Sequence, residues 1–245
     1  MLQNAVVSRE DWLEARKALL AREKELTRQR DALSAARREL PWVKVEKTYV
    51  FETLEGPKSL GELFEGRSQM IVHHFMFGPG WKEGCIGCSF AADHAEGALV
   101  HLENHDVSYL RVSRAPLAEL EAYRQRMGWC ARWVSSHDSD FNYDFQVSFT
   151  PEQLARGEID YNYAKSGIQS EDLGGLSVFY RNAEGEVFHT YSAFGRGDEL
   201  LDTTYMFLDL TPEGRNETGP HYNLMDWVKR HDDYGTPAAR ALAGE

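Results

Sequence analysis

Apolar residues are most concentrated at 70–77, where Ile71, His73, Phe75 and Phe77 alternate with Val72, His74 and Met76. That pattern predicts a buried strand with its two histidines on opposite faces. It stops at the breakers Gly78-Pro79-Gly80. From residue 89 to 103 the apolar spacing becomes helical, through Phe90, Ala91, His94, Ala98 and Leu102. Residues 107–113 predict the next strand, and 115–127 a helix with Pro116 near its favoured first position. Strand and helix thus alternate, which predicts an α/β domain with parallel, right-handed crossovers. Residues 128–134 lead back to the sheet. Residues 176–180 and 187–191 flank a turn signal, Arg181-Asn182-Ala183-Glu184-Gly185-Glu186, and predict an antiparallel hairpin.

The flanks read differently. Over 8–39, Trp12, Leu13, Leu19, Leu20, Leu26 and Leu33 form an apolar stripe behind a Ser8 cap, and Leu40-Pro41 ends the helix. Its many arginines and lysines predict a solvated face of charge pairs or a docking arm, for a second copy or an acidic partner. Residues 43–51 are extended, Gly56-Pro57 turns, and 60–64 form a short helix or turn that feeds the strand. Residues 135–175 are irregular and aromatic, an insertion over the sheet. Asp138, Asp140 and Asp144 lie there, but the calcium-loop template fails for want of its glycine and glutamate. Residues 197–201 suit a helix start with Asp198 as cap. Residues 208–215 read as a loop and 226–231 as a short helix carrying Trp227 and Val228. The tail from Asp232 offers little to bury.

Composition narrows the class of protein. At 245 residues with 42% hydrophobic content, the chain can bury a sizeable core. A net charge of −12 disfavours nucleic acid and anionic membranes as partners. No apolar run approaches the ~18 residues of a membrane span, and residues 1–16 lack a signal-peptide pattern. Three cysteines make no disulfide framework. A soluble cytoplasmic protein with reduced thiols is the expectation.

The chemistry is concentrated at Gly84-Cys85-Ile86-Gly87-Cys88-Ser89. A Cys-x-x-Cys after a strand and loop, opening a helix, is the setting for thiol–disulfide exchange. The helix N-terminus stabilises a thiolate, the form that attacks disulfides. Cys85, at the exposed helix start, is the candidate nucleophile. Cys88, one turn inside, is the candidate resolving thiol. His73 or His74 reads either as a proton acceptor or ligand near Cys85, or as a hydrogen-bonded core residue. Cys130 reads either as a further resolving thiol or as a small core residue. Zinc normally takes four ligands, and with no second Cys-x-x-Cys, His94, His101 and Cys130 are loose candidates only. No metal or cofactor is expected.

These residues carry a resemblance. The chain resembles thioredoxin-like proteins and, more narrowly, the family labelled DUF899 or dithiol-disulfide isomerase. The similarity rests on Arg67-Ser68-Gln69, on Ile71 to Pro79, on Gly84-Cys85 and Cys88-Ser89-Phe90, and on Val112-Ser113-Arg114-Ala115-Pro116-Leu117. Trp133-Val134-Ser135-Ser136, Ser139-Asp140-Phe141-Asn142-Tyr143-Asp144-Phe145 and Asp226-Trp227-Val228 extend it. It implies a thioredoxin-like three-layer α/β/α sandwich with a central mixed sheet over about 43–210. An N-terminal helical arm (1–42) and a C-terminal extension (211–245) flank that domain. Thioredoxin-like proteins usually place a cis-proline ahead of the first hairpin strand, facing the reactive cysteine. Here that stretch is Gly174-Gly175-Leu176-Ser177, which removes the usual substrate-binding edge.

Three functions follow as expectations. The first is a thiol–disulfide oxidoreductase acting on a protein or small-molecule disulfide with a separate electron donor. The second is a thiol peroxidase or oxidant sensor using Cys85, which would not need the proline. It lacks the threonine and proline that peroxide-reducing relatives place ahead of the cysteine, and Pro79 lies six residues early. The third is a binding module that keeps the fold without turnover.

Overall fold

The computed structural model describes residues 4–215 and 227–235. The chain divides into two compact units, Met1–Trp42 and Val43–Glu245. The first is a single helix, α1 (Arg9–Arg38), with Glu10 and Asp11 in its first turn and Arg37 and Arg38 in its last. Both ends therefore complement the helix dipole. Ser8 caps it by accepting the Asp11 N–H at 3.0 Å, as its sequence predicts, and no residue of it is buried.

The second unit begins with β1 (Val43–Lys44), β2 (Val50–Phe51), β3 (Lys58–Ser59) and a 3-10 turn at Glu62–Phe64. β4 (Gln69–His74), α2 (Ile86–Glu96), α3 (Leu99–Asn104), β5 (Val107–Ser113), α4 (Leu117–Arg126) and β6 (Arg132–Ser135) follow. The aromatic insertion holds α5 (Phe141–Asp144), α6 (Pro151–Ala155), β7 (Ile159–Tyr161) and β8 (Ala164–Ser166). β9 (Gly175–Arg181), β10 (Val187–Phe194), a 3-10 turn at Gly195–Leu201 and α7 (Thr203–Leu208) complete it.

Six strands form one mixed sheet in the order β1-β10-β9-β4-β5-β6. β4 pairs parallel with β5, and β5 with β6. β9 returns antiparallel beside β4 and turns back into β10. This is the thioredoxin-like α/β/α arrangement. Alternation along β4 divides the core: Met70 and Val72 pack with Leu110, Val112, Val134 and Phe179 on one face. The 3-10 turn and α5 cover that face through Phe64 and Phe141. On the other face Phe75 packs with Ala92, Leu120, Tyr123, Trp129 and Trp133, beneath α2 and α4.

Three expectations change. The helical pattern over 89–103 is two helices, because α2 ends at Gly97, a residue of low helix propensity. Asp198 is not a helix cap; it lies within the 3-10 turn that follows Phe194. The short helix expected over 226–231 does not form among its described residues: 227–230 are irregular, with Trp227 and Val228 packed with Phe90 and Tyr205, and a 3-10 turn follows at His231–Asp233. Asp226 and the tail 236–245 lie outside the described residues. Two of the three aspartates considered for a cation are matched from within the chain, since Lys47 pairs with Asp140 at 2.8 Å and Asp144 at 2.6 Å.

Arg114, just beyond β5, ties the insertion to the sheet. Arg114 donates to both Asp172 oxygens, at 2.8 and 2.7 Å, and to the Tyr143 hydroxyl at 2.9 Å. Ser148 donates to the same carboxylate at 2.6 Å. The Asp172 side chain is 4% exposed and that of Arg114 12%. Removing one partner from such a pair leaves the other charge desolvated. Asp172→Ala is therefore expected to destabilise the fold by about 3 kcal/mol, read as a lower urea midpoint at unchanged slope.

Candidate functional site

The turn that carries the cysteines is held to the end of β4. The Cys85 N–H donates to the Met76 carbonyl at 3.1 Å, and the Met76 N–H donates to the Cys88 sulfur at 3.4 Å. Gly84 supplies the close approach. A Cβ there would stand 2.5 Å from the Phe75 ring, and Phe75 is itself packed 4.5 Å, centroid to centroid, from Trp133. Only glycine lets the turn lie on that aromatic floor.

Cys85 occupies the N-cap position of α2, and no side chain caps this helix. The Cys88 thiol and the backbone N–H groups of Cys88 and Gly87 lie on the side of the Cys85 sulfur and favour its charged form. The Cys88 hydrogen bond is the largest influence; burial opposes it, and the backbone donors and the Arg230 charge add to it. The Cys85 thiol is lowered to about 6. Cys88 goes the other way, pushed well above the ordinary thiol range by the same hydrogen bond and by burial. Both cysteines are free, Cys85 partly exposed and Cys88 buried.

Arg230 reaches the turn from the C-terminal segment. It donates to the Gly84 carbonyl at 2.8 Å and the Tyr123 hydroxyl at 2.9 Å, and it pairs with Glu83 at 3.1 Å. Nothing in the local sequence around the cysteines signals it, because more than a hundred residues intervene.

The pair opens into a cavity of about 290 Å³. His73, Tyr161, Gly174, Asp198 and Asp202 are among its walls. Gly174 stands where a Cβ would meet the Cys88 sulfur at 3.4 Å, and among the described residues no peptide bond is cis. Burial raises the Asp198 carboxyl to about 6, and the neighbouring Asp202 and Glu199 charges add to that. Asp198 is a site residue that the sequence presents only as a cap, since its place opposite the cysteines depends on the return of the whole hairpin.

The histidines part company as the alternation predicts. His73 lines the cavity and takes the Tyr109 hydroxyl at 3.2 Å. His74 lies on the opposite face, bonded to Ser177 at 2.7 Å and stacked on Phe141. Burial holds both near 3, so both are neutral at pH 7 and neither supplies a cation to a thiolate. Cys130 is neither a core residue nor close to the pair. It is exposed, and its N–H donates to Glu96, at the far end of α2 from Cys85, at 2.6 Å. His94 bonds Thr204 at 2.7 Å, and among the described residues no three metal-binding side chains gather.

Comparison with solved structures returns small thiol proteins. A mutant of Xanthomonas campestris peroxiredoxin Q is similar at 13% identity, covering 64% of this chain and 90% of its own, with a TM-score of 0.44. Peroxidoxin BcpB from Mycobacterium tuberculosis is similar at 11% identity, covering 67% of this chain and 95% of its own, TM-score 0.43. A thiol:disulfide interchange protein from Bacteroides sp. is similar at 13%, covering 73% and 97%, TM-score 0.38. No curated protein matches the sequence. The family model for bacterial proteins of unknown function DUF899 matches residues 1–234, and the chain belongs to that family.

Proposed function

We propose that this chain is a thiol–disulfide oxidoreductase in which Cys85 attacks and Cys88 resolves. The observation that carries the reading is the opposite tuning of two sulfurs one helical turn apart. With a thiol near 6, Cys85 is largely thiolate at neutral pH, and it lines the cavity. Cys88 is buried and protonated.

The reaction balances without a cofactor. The Cys85 thiolate attacks one sulfur of a substrate disulfide, the substrate S–S bond breaks, and the first thiol leaves with a proton. Cys88 then loses its proton and attacks the Cys85 sulfur, closing the Cys85–Cys88 bridge and releasing the second thiol. Two electrons pass from the dithiol to the disulfide. A reducing compartment such as the cytoplasm would supply the donor that reopens the bridge. Stabilising the Cys85 thiolate stabilises the reduced state, which makes the pair more oxidising than an unshifted dithiol.

Two measurements test this reading. The thiolate is the deprotonated form, so Cys85 alkylation should rise as pH passes upward through about 6 and level off above it. Cys88 should stay unreactive over that range. Arg230→Gln should move the rise to higher pH and slow alkylation at the wild-type midpoint about threefold. A Cys85 rise centred near 9, the ordinary value, would remove the basis of the assignment.

In the second, the reduced protein is mixed with 2-hydroxyethyl disulfide. Wild type should lose both thiols into one intramolecular bridge that dithiothreitol reopens. Cys88→Ser should instead stop at a mixed disulfide on Cys85, and Cys85→Ser should form neither that mixed disulfide nor the bridge, leaving only the exposed Cys130 to react. Oxidation by hydrogen peroxide faster than by the disulfide would replace the reading with a thiol peroxidase.

A further inference from the structure

The function proposed above leaves the disulfide undefined, and the cavity narrows it. One question is whether a polypeptide can dock there. Disulfide-exchange folds commonly hold a substrate chain by strand-like hydrogen bonds at an exposed backbone edge. Here the edge beside the cysteines is occupied. The Tyr161 hydroxyl donates to the Gly174 carbonyl at 2.8 Å and accepts the Gly195 N–H at 3.2 Å. The β7–β8 hairpin is thereby fastened across the start of β9 and onto the 3-10 turn. What remains is a space of about 290 Å³, of the size that takes a small molecule.

The second question is charge. Three carboxylates line this space, Asp198, Glu199 and Asp202, together with one cation, Arg196. Glu199 is matched by Arg196 at 2.6 Å and by Arg215. Asp202 faces the His94 ring at 3.6 Å. The Asp198 carboxylate has its own backbone N–H as a hydrogen-bond donor and no ion-pair partner among the described residues. The Cys85 thiolate shares the same cavity. A carboxylate held out of water with no counter-charge is destabilised, and a ligand cation placed beside it would offset that cost. Burial and its acidic neighbours raise Asp198 to about 6, as expected of a group short of a positive partner.

We infer that the substrate is a low-molecular-weight disulfide bearing an ammonium or guanidinium group, seated with its cation at Asp198 and a sulfur at Cys85. The inference rests on the oxidoreductase reading, and the electron balance is the same. Cys85 attacks the near sulfur, an aminothiol leaves with a proton, and Cys88 gives up its proton and displaces the second aminothiol. The cation takes no part in bond making. It orients the disulfide and raises its local concentration.

The test uses the full-length reduced protein and three small disulfides: cystamine (cationic), 2-hydroxyethyl disulfide (neutral) and dithiodiglycolate (anionic). Loss of free thiol gives each rate, divided by the rate of the same disulfide with dithiothreitol to remove intrinsic reactivity. Cystamine is expected to exceed the neutral disulfide by about tenfold and the anion by more, with the preference shrinking as salt is added. Asp198→Asn should bring the ratio of cystamine to neutral disulfide close to one. Asp138→Asn, at an exposed position away from the cavity, should leave it as in wild type.

A wild-type ratio at or below one overturns the inference, as does a ratio that Asp198→Asn leaves intact. So does an unstructured peptide disulfide that reacts faster than cystamine. The wild-type series decides the matter even if the Asp198 variant fails to fold. Failure of all three disulfides to close the bridge would instead defeat the oxidoreductase reading itself, and the cation preference with it.

Discussion

The site depends on the seam between the end of β4 and the start of α2. Met76 holds that seam with both of its backbone groups, its carbonyl on the Cys85 N–H and its N–H on the Cys88 sulfur. Because β4 is paired on both sides, to β5 and β9, the turn is referred to the most constrained strand of the sheet. The aromatic floor completes the constraint. Phe75, Tyr123, Trp129 and Trp133 pack mutually, and the turn fits over them only because residue 84 is glycine. A shift of this floor would move Cys85 off the helix axis, and with it the alignment of the N–H groups that hold its charge.

Given that seam, the asymmetry of the cysteines needs little else. Both sulfurs are largely removed from water, which by itself raises a thiol. Cys85 escapes this because the donors around it, the Cys88 thiol and two backbone N–H groups, favour its charged form, and the Arg230 charge adds to them. Cys88 gains only the Met76 N–H against burial and the neighbouring sulfur. Proximity then makes the order of events chemical rather than positional. In the proposed reaction the sulfur that is already ionised attacks first, and the second becomes a nucleophile only once the first is tied up in a disulfide and no longer carries charge.

Much of this was legible in the sequence, and what was missed has a common cause. β4, the breakers after it and the β9–β10 hairpin announce themselves through local periodicity and turn chemistry and form where expected, while the helix behind the cysteines forms but is split at Gly97. The opposite placement of His73 and His74 follows from the two-residue repeat of a strand. Arg230, Tyr161 and Asp198 could not be found this way. Each comes to the site through tertiary packing, from the C-terminal segment, the insertion and the turn after β10. Asp198 was even misleading, since an aspartate ahead of leucines looks like a helix cap, whereas Phe194 precedes the turn. Cys130 misled similarly. Its tryptophan neighbours in sequence point to the core, while its own side chain faces out.

The charges around the cavity have an order that neither the chain's net charge of −12 nor its fold class requires. Positive potential reaches Cys85 from the side of α2's N-terminus and Arg230. Carboxylates line the cavity in front of it. An anion approaching the thiolate must therefore pass the acidic groups, since Arg196, the cation among the cavity walls, is paired with Glu199 and Arg230, behind the turn, spends its donors on Gly84 and Tyr123. A thiolate and a carboxylate without a counter-charge in one small cavity raise each other's energy. That cost is relieved when Asp198 takes up a proton or when something positive enters. That makes the reduced protein, rather than the oxidised one, the form that gains most from binding a cation, because closing the Cys85–Cys88 bridge removes one of the two negative charges. A cationic product would thus bind more weakly once the electrons have been transferred, and release would follow from the same charge change that completes the reaction.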